Sequence, residues 1–320
     1  MKYRELGKSG ISVSEIGFGS WGIGGLSKGE ATSYGATDDE ESKRALNFAF
    51  ENGVNLYDTS NIYGDGHSEK LIGDVFQGKR DKIVIATKVG FTHHNSLQDF
   101  SSINLRNSLE GSLKRLRTDY VDLYQLHSPY IPYVLKNLEE ILGTLLDLRK
   151  EGKIRHWGIS ARSPEDGVKI VSLGDLSSIQ INFNMIDQRA LDCNLFSLVN
   201  ANRCGIILRT PLAFGFLTGK IIKSKFDKED HRSRWSSRQI EMWIKASDLF
   251  LPIAESRNCT LSQLAFLFCL YEKSASSVIP GMLTVNQVRE NIASSDLEPL
   301  TEKEIKLIRE IYCKNTFFEE

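Results

Sequence analysis

No two of the five cysteines, Cys193, Cys204, Cys259, Cys269 and Cys313, form a CxxC pair, and their number is odd. That pattern argues against a disulfide framework or a zinc site and fits reduced thiols in a cytoplasmic protein. The opening residues, MKYRELGKSGISVSEIG, lack the apolar stretch of a secretory signal, so none is expected. The longest apolar run, 264–270, is far too short to cross a bilayer. Neither charge sign dominates: 40 basic and 41 acidic side chains give a net charge of −1. Bulk electrostatics therefore call for neither nucleic acid nor an anionic membrane as partner. Fixed-period repeats and low-complexity linkers are also missing. Hydrophobic content of 41% and charged content of 25% are ordinary, which excludes long disorder and the collagen-like and fibrous classes.

What is present is alternation. The chain has 320 residues. That length suits two ordinary domains or one α/β barrel, and a fold of this mass buries roughly three quarters of its unfolded surface. Short β-branched or aromatic runs recur at 16–18, 54–57, 83–87, 121–126, 154–159, 179–183, 205–208 and 277–279. Most lack polar/apolar alternation, as expected of strands buried on both faces of a parallel sheet. Helical patterns lie between them. Thr37-Asp38-Asp39-Glu40 reads as a capping box ahead of Ala45, Leu46, Ala49 and Phe50. Leu105, Leu109, Leu113 and Leu116 form one stripe, and Leu135, Leu138, Leu142 and Leu145 another. Ser163-Pro164 caps a further helix, and Thr260–Gln263 and Thr301–Glu304 are two more capping boxes.

Eight such units predict an α/β fold, a single (β/α)8 TIM barrel over 1–320, with a doubly wound sheet as the alternative. The segments around Gly7-Lys8-Ser9-Gly10 predict an N-terminal β-hairpin closing the barrel's bottom. The polar stretch 218–235 follows strand seven and is expected to hang over the active face.

Barrel chemistry sits at the C-terminal strand ends. Strand two ends in Asp58, with Tyr63 in its loop; strand three ends in Lys88; strand four ends in His127. An ammonium beside a phenol favours the phenolate, so Tyr63 next to Lys88 becomes a usable proton donor near neutral pH. Asp58 holds the lysine charged, and His127 orients a carbonyl oxygen. These four can protonate an oxygen that receives a hydride. They cannot supply the hydride, so a nicotinamide is implied. Any one of the four alone reads as packing or a solvated edge; all four at successive strand ends read as a catalytic set.

The motifs YDTSNIYGDGHSEKLIG, IVIATKVG, VDLYQLHSP, IRHWGIS, IQINFN, PLAFGFLTGK and VIPGMLTVNQVREN follow one another within residues 1 to about 300. In that order the chain resembles the aldo-keto reductases. The resemblance implies a TIM barrel, NADPH-dependent carbonyl reduction without a metal, and a tetrad of Asp58, Tyr63, Lys88 and His127. It also implies a cofactor stretched across the barrel mouth with no Rossmann motif. Gly22-Ile23-Gly24-Gly25 after strand one indeed lacks GxGxxG spacing.

On the same resemblance, Ser160 and Gln180 hydrogen-bond the nicotinamide carboxamide. Ala161 replaces the usual asparagine, removing a contact of ~1 kcal/mol. Arg209 stands where relatives place a stacking aromatic; it stacks on the ring, meets a substrate anion, or forms a rim salt bridge. Gly215, Leu217, Gly219 and Lys220 match the loop that wraps the pyrophosphate. Glu290 and Asn291 match the adenine contacts, and Gly281, Thr284 and Gln287 lie on the phosphate side. Relatives carry Lys or Arg within 281–283 or at 287; here these positions are Gly281, Met282, Leu283 and Gln287. A 2′-phosphate carries about two negative charges and needs a basic partner. Either Arg289, Arg234 or another loop residue supplies it, or discrimination against NADH is weak. NADPH is the expected cofactor, with NADH as the alternative.

Trp21, His93 and its neighbour His94, Tyr130 and Arg234 are placed to line the substrate pocket. They point to a polar, sugar-like or anionic carbonyl compound, or are solvated loop residues. Three functions stay open: a carbonyl reductase; an NAD-linked alcohol or sugar dehydrogenase; and a nucleotide-sensing, non-metabolic subunit, since the resemblance includes channel-associated proteins. Nothing in the pattern specifies an oligomeric state.

Overall fold

The computed structural model describes residues 1–28, 30–94, 96–173 and 176–319. An antiparallel hairpin comes first, β1 (Tyr3–Glu5) and β2 (Ser12–Ser14), with Tyr3 opposite Ser14. Eight parallel strands follow: β3 (Phe18–Gly19), β4 (Leu56–Asp58), β5 (Val84–Val89), β6 (Val121–His127), β7 (Ile154–Ser160), β8 (Ser178–Asn182), β9 (Gly205–Arg209) and β10 (Ala275–Ile279). Each pairs with the next in sequence order. The two edges of that sheet then meet. Val278 N–H donates to Glu15 O at 2.8 Å, Gly17 N–H to Val278 O at 2.9 Å, and Gly19 N–H to Pro280 O at 2.9 Å. The result is the (β/α)8 barrel.

The helices form the outer ring: α1 (Asp39–Glu51), α2 (His67–Val75), α3 (Ser102–Leu116), α4 (Ile131–Lys136), α5 (Leu138–Lys150), α6 (Pro164–Ile170), α7 (Arg189–Asp192), α8 (Leu195–Ala201), α9 (Ser237–Ser256), α10 (Leu261–Tyr271), α11 (Val285–Ile292) and α12 (Glu302–Lys314). Thr260–Gln263 and Thr301–Glu304 are reciprocal capping boxes, and Ser163 caps α6 through Asp166 N–H. Two local expectations change. The cap of α1 is Asp38, which accepts from the Glu40 and Glu41 N–H groups, so Thr37 lies outside. The 135–145 stripe is broken at Asn137, which ends α4 and starts α5. Leu135 is consequently exposed, Leu138 and Leu142 are partly buried, and α5 buries Ile141, Thr144 and Leu148 beside the expected Leu145.

Two apolar cores result. The larger lies between the barrel wall and the helices. The smaller fills the barrel: Leu56, Val84, Ala86, Leu123, Ile207 and Ile279 point inward, and Leu6 and Val13 of the hairpin seal them from below. Both seals are fully buried, stabilising the closed bottom by roughly 1.5–3 kcal/mol each. The hairpin turn passes so close to β9 that a Cβ on Gly7 would lie 2.2 Å from Gly205 N, and Gly7 also has φ +55°. Only glycine fits there.

Most strands run one or two residues further toward the mouth than the apolar runs alone suggest. That extension carries Asp58, Lys88, His127, Ser160 and Arg209 to the upper rim. Several residues of segment 218–235, Lys220, His231 and Arg234 among them, line the opening at this rim. His231 N–H donates to Ser33 O at 2.8 Å, tying the segment to the loop after β3. Among the described residues, no helix is long and apolar enough to cross a membrane.

Candidate active site

The floor of the mouth is built around one buried lysine. Lys88, with no exposed surface, places Nζ 2.5 Å from Asp58 Oδ1, 2.8 Å from Thr59 O and 3.1 Å from Tyr63 Oη. An ammonium has three protons, and all three find acceptors here. Burial works against its charge, but Asp58 and then Tyr63 outweigh that, so Lys88 is held above the ordinary lysine value.

Asp58 is fixed from its other oxygen. Gln125 Nε2 donates to Oδ2 at 3.1 Å and Gln180 Nε2 at 2.7 Å. Gln180 Oε1 in turn accepts from Ser160 Oγ at 3.1 Å. His127 faces Tyr63 edge-on, with ring centroids 6.0 Å apart, and its Nδ1 lies 3.2 Å from Ser60 Oγ. Burial, then the charges of Lys88 and Arg209, push its pKa well below the histidine norm. His127 is therefore neutral at physiological pH.

Above this floor opens a cavity of about 620 Å3. Asp58, Tyr63, His127, Gln180 and Arg209 line its deep end, and Gly281, Gln287, Glu290 and Asn291 its far end. Trp21, His94 and Arg234 stand at the mouth, and Gly215 and Lys220 along the strap between the two ends. Lys220 Nζ closes that strap on Glu290 Oε2 at 2.7 Å. Gly215 sits at φ +95°, a conformation that favours glycine, and Gly219 follows at the turn's end. Thr210, Ala213 and Phe214 also have positive φ without being glycine. Such strained backbone is typical of segments that grip ligands.

The remaining expected residues are placed as follows. Ser160 and Leu217 are buried beside the cavity. Thr284 caps α11 by accepting from Gln287 N–H. His93 is exposed and bonded to Thr92, while His94 is the histidine on the cavity wall. Tyr130 is 58% exposed at the start of α4 and does not line the cavity. Arg209 is enclosed, donates to Ala161 O at 3.0 Å and leaves Nε unpartnered. Burial pulls its pKa down despite the nearby Tyr63 and Asp58.

Sequence reasoning passes over several contributors. Gln125 lies two residues before His127 on β6, on the same inward face, and strand periodicity could have found it. Ser60, beside Tyr63 in the loop after β4, carries no comparable signal. Tyr34, Phe214, His231 and Trp235 form an aromatic wall around Trp21, with Trp21 and His231 centroids 4.5 Å apart.

The Aldo/keto reductase family pattern matches residues 15–313. The chain belongs to this family. The oxidoreductase YqkF of Bacillus subtilis (strain 168) is 30% identical over 315 residues, 97% of this chain and 96% of that one. Among solved structures, the glycerol dehydrogenase AKR11B4 of Gluconobacter oxydans superimposes with TM-score 0.82 at 26% identity, covering 99% of this chain and 97% of that one. The holo form of AKR11C1 from Bacillus halodurans does so with TM-score 0.78 at 26% identity, covering 97% and 96%.

As an NAD(P)H-dependent aldo-keto reductase, the protein needs a groove for a dinucleotide. The residues present fit one. Asn291 is 3% exposed, yet its Nδ2 has no partner, and Glu290 Oε1 is buried and equally unpartnered. Both line the cavity. Buried polar atoms left unbonded are costly, so a donor and an acceptor waiting side by side suit an adenine edge.

Proposed function

We propose that the enzyme reduces an aldehyde or ketone to an alcohol, with Tyr63 as proton donor. The carrying observation is Lys88 Nζ, bonded to both Asp58 Oδ1 and Tyr63 Oη on the cavity floor. The nicotinamide, when bound, supplies a hydride to the carbonyl carbon. Everything else falls to the chain's own residues. Lys88 keeps its charge through neutral pH and stabilises the negative charge left on Tyr63 as its proton passes to the carbonyl oxygen. Asp58 holds Lys88, and Gln125 and Gln180 hold Asp58. Assigning Ser60 Oγ as the donor to His127 Nδ1 puts the ring proton on Nε2, where it can donate to the same carbonyl oxygen. The neutral ring can do this without drawing the proton from Tyr63.

Ser160 and Gln180 lie at the nicotinamide end, with Arg209 beneath it; Gly215, Leu217, Gly219 and Lys220 form the pyrophosphate strap. Gly281, Thr284, Gln287, Glu290 and Asn291 take the adenosine end. The substrate is read as a polar, sugar-like or anionic carbonyl compound, because Arg234 and His94 face the entrance. The choice between NADPH and NADH turns on charge at the first turn of α11.

Replacing Tyr63 by Phe removes only the hydroxyl. The variant is expected to lose turnover by ~1,000-fold or more while binding cofactor normally. Retained turnover sinks the proton-donor assignment. In the same assays, uncharged aromatic aldehydes turned over far better than any sugar or acid would sink the polar-substrate reading. Alcohol oxidation uses the same residues in reverse, and a relative named as a glycerol dehydrogenase keeps that direction in view. A lysine bonded to both carboxylate and phenol argues against a purely structural subunit, and retained turnover in Tyr63→Phe would bring the sensing reading back.

A further inference from the structure

One carboxylate beside the adenosine end has no part in the chemistry above. Glu41 sits in the first turn of α1, which packs against α11. Its Oε1 accepts from Val285 N–H at 3.0 Å, the first residue of α11. Its Oε2 accepts from Arg44 Nη2 at 2.7 Å and Nε at 3.0 Å. The first turn of α11 holds two further bonds of the chain's own. Leu283 N–H donates to Gln287 Oε1 at 2.7 Å, and Gln287 N–H to Thr284 Oγ1 at 3.3 Å.

A helix N-terminus attracts anions because its first N–H groups are free and its dipole end is positive. Here two of those groups, Val285 N–H and Gln287 N–H, are already satisfied, the first of them by a carboxylate. The cations nearby are also engaged. Arg44 is spent on Glu41, while Arg289 lies over the Phe48 ring at 5.1 Å and bonds Asn286 Oδ1 at 3.1 Å. No basic side chain stands at Gly281, Met282, Leu283 or Gln287. Less than two helical turns further along, Asn291 Nδ2 waits unpartnered in the cavity wall.

We propose that Glu41 makes this enzyme select NADH over NADPH. The inference rests on the dinucleotide reading above. A 2′-phosphate brought to the start of α11 meets a fixed negative charge and an N-terminus whose Val285 and Gln287 N–H groups are already taken. A 2′-hydroxyl is a neutral donor, and a carboxylate with several lone pairs can accept it as well. The Arg44 bonds, and then the Val285 N–H, hold the Glu41 pKa below the usual glutamate value, so the charge persists at working pH.

The test is equilibrium titration of the full-length protein with NADH and with NADPH, read by quenching of tryptophan fluorescence and so independent of turnover. Wild type is expected to bind NADH about tenfold or more tightly than NADPH. Glu41→Gln keeps an acceptor for Val285 N–H and removes the charge. It is expected to strengthen NADPH binding about tenfold while leaving NADH within a few-fold. A wild type that prefers NADPH, or a Glu41→Gln variant with an unchanged ratio, overturns the proposal. If NADPH wins and Arg44→Ala abolishes that preference, Arg44 is the phosphate's partner and the role of Glu41 is reversed. Asn291→Ala separates the two layers: weaker binding of both nucleotides upholds the dinucleotide groove whatever Glu41 does. If wild type binds neither, the groove reading falls and this inference with it.

Discussion

Gln180 Nε2 donates to Asp58 Oδ2 at 2.7 Å, so a side chain proposed to contact the nicotinamide also braces the carboxylate that holds Lys88. Gln125 donates to the same oxygen from 3.1 Å but makes no bond to Ser160. The two glutamines can therefore be told apart. Gln180→Leu should weaken cofactor binding and lower kcat together. Gln125→Leu should lower kcat and leave the cofactor Kd unchanged. Each removes a hydrogen bond to a charged group, typically about 1.5–3 kcal/mol, or ten- to hundredfold in kcat/KM. Fluorescence titration beside steady-state kinetics checks the split. Equal effects on Kd from both variants would show that Gln180 acts only through Asp58.

The strap over the mouth predicts a pH effect. His231 packs against Trp21, Tyr34, Phe214 and Trp235, with its Nδ1 3.1 Å from Ser33 O. Burial lowers its pKa to about 4; the Ser33 carbonyl and Asp230 oppose this, and Arg232 and Arg234 add to it. Between pH 6.5 and about 4 the unfolded chain binds this proton and the folded chain does not. Stability therefore falls as pH drops through that window. The full gap corresponds to at most about 3 kcal/mol, less for the ring's residual contact with water. His127 and His94, also lowered, add to the wild-type slope in the same direction. His231→Gln should flatten part of that slope in urea unfolding measured at several pH values. An unchanged slope would mean that His231 protonates in the folded strap without cost.

How much of this is visible in sequence depends on what fixes each residue. Parallel strands deliver their ends to one rim, so Asp58, Lys88 and His127 can be placed together from strand order alone. The hairpin plug is equally readable, because Leu6 and Val13 flank a glycine-bounded turn. Within loops the logic fails: nothing in the order of the two histidines tells that His94 and not His93 faces the cavity. The break at Asn137 removes Leu135 from a four-leucine stripe because a stripe counts spacing and not helix ends. Glu41 and Val285 are 244 positions apart, and only the closed barrel brings α1 beside α11.

Lys88 and Asp58 form a buried pair whose parts should not contribute additively. Neither has appreciable exposed surface, and both oxygens of Asp58 are already bonded. Lys88→Met removes the cation and leaves a carboxylate almost wholly buried at the cavity floor. Breaking a buried pair from one side typically costs about 3–5 kcal/mol, mostly the charge left behind. Asp58→Asn on top of it removes that stranded charge, and Asn can still accept from Gln125 and Gln180. The double variant should therefore be more stable than Lys88→Met alone, though equally inactive. A double-mutant cycle by urea denaturation measures the coupling. Additive losses would mean that water reaches Asp58, and that Lys88 serves Tyr63 more than it serves the fold.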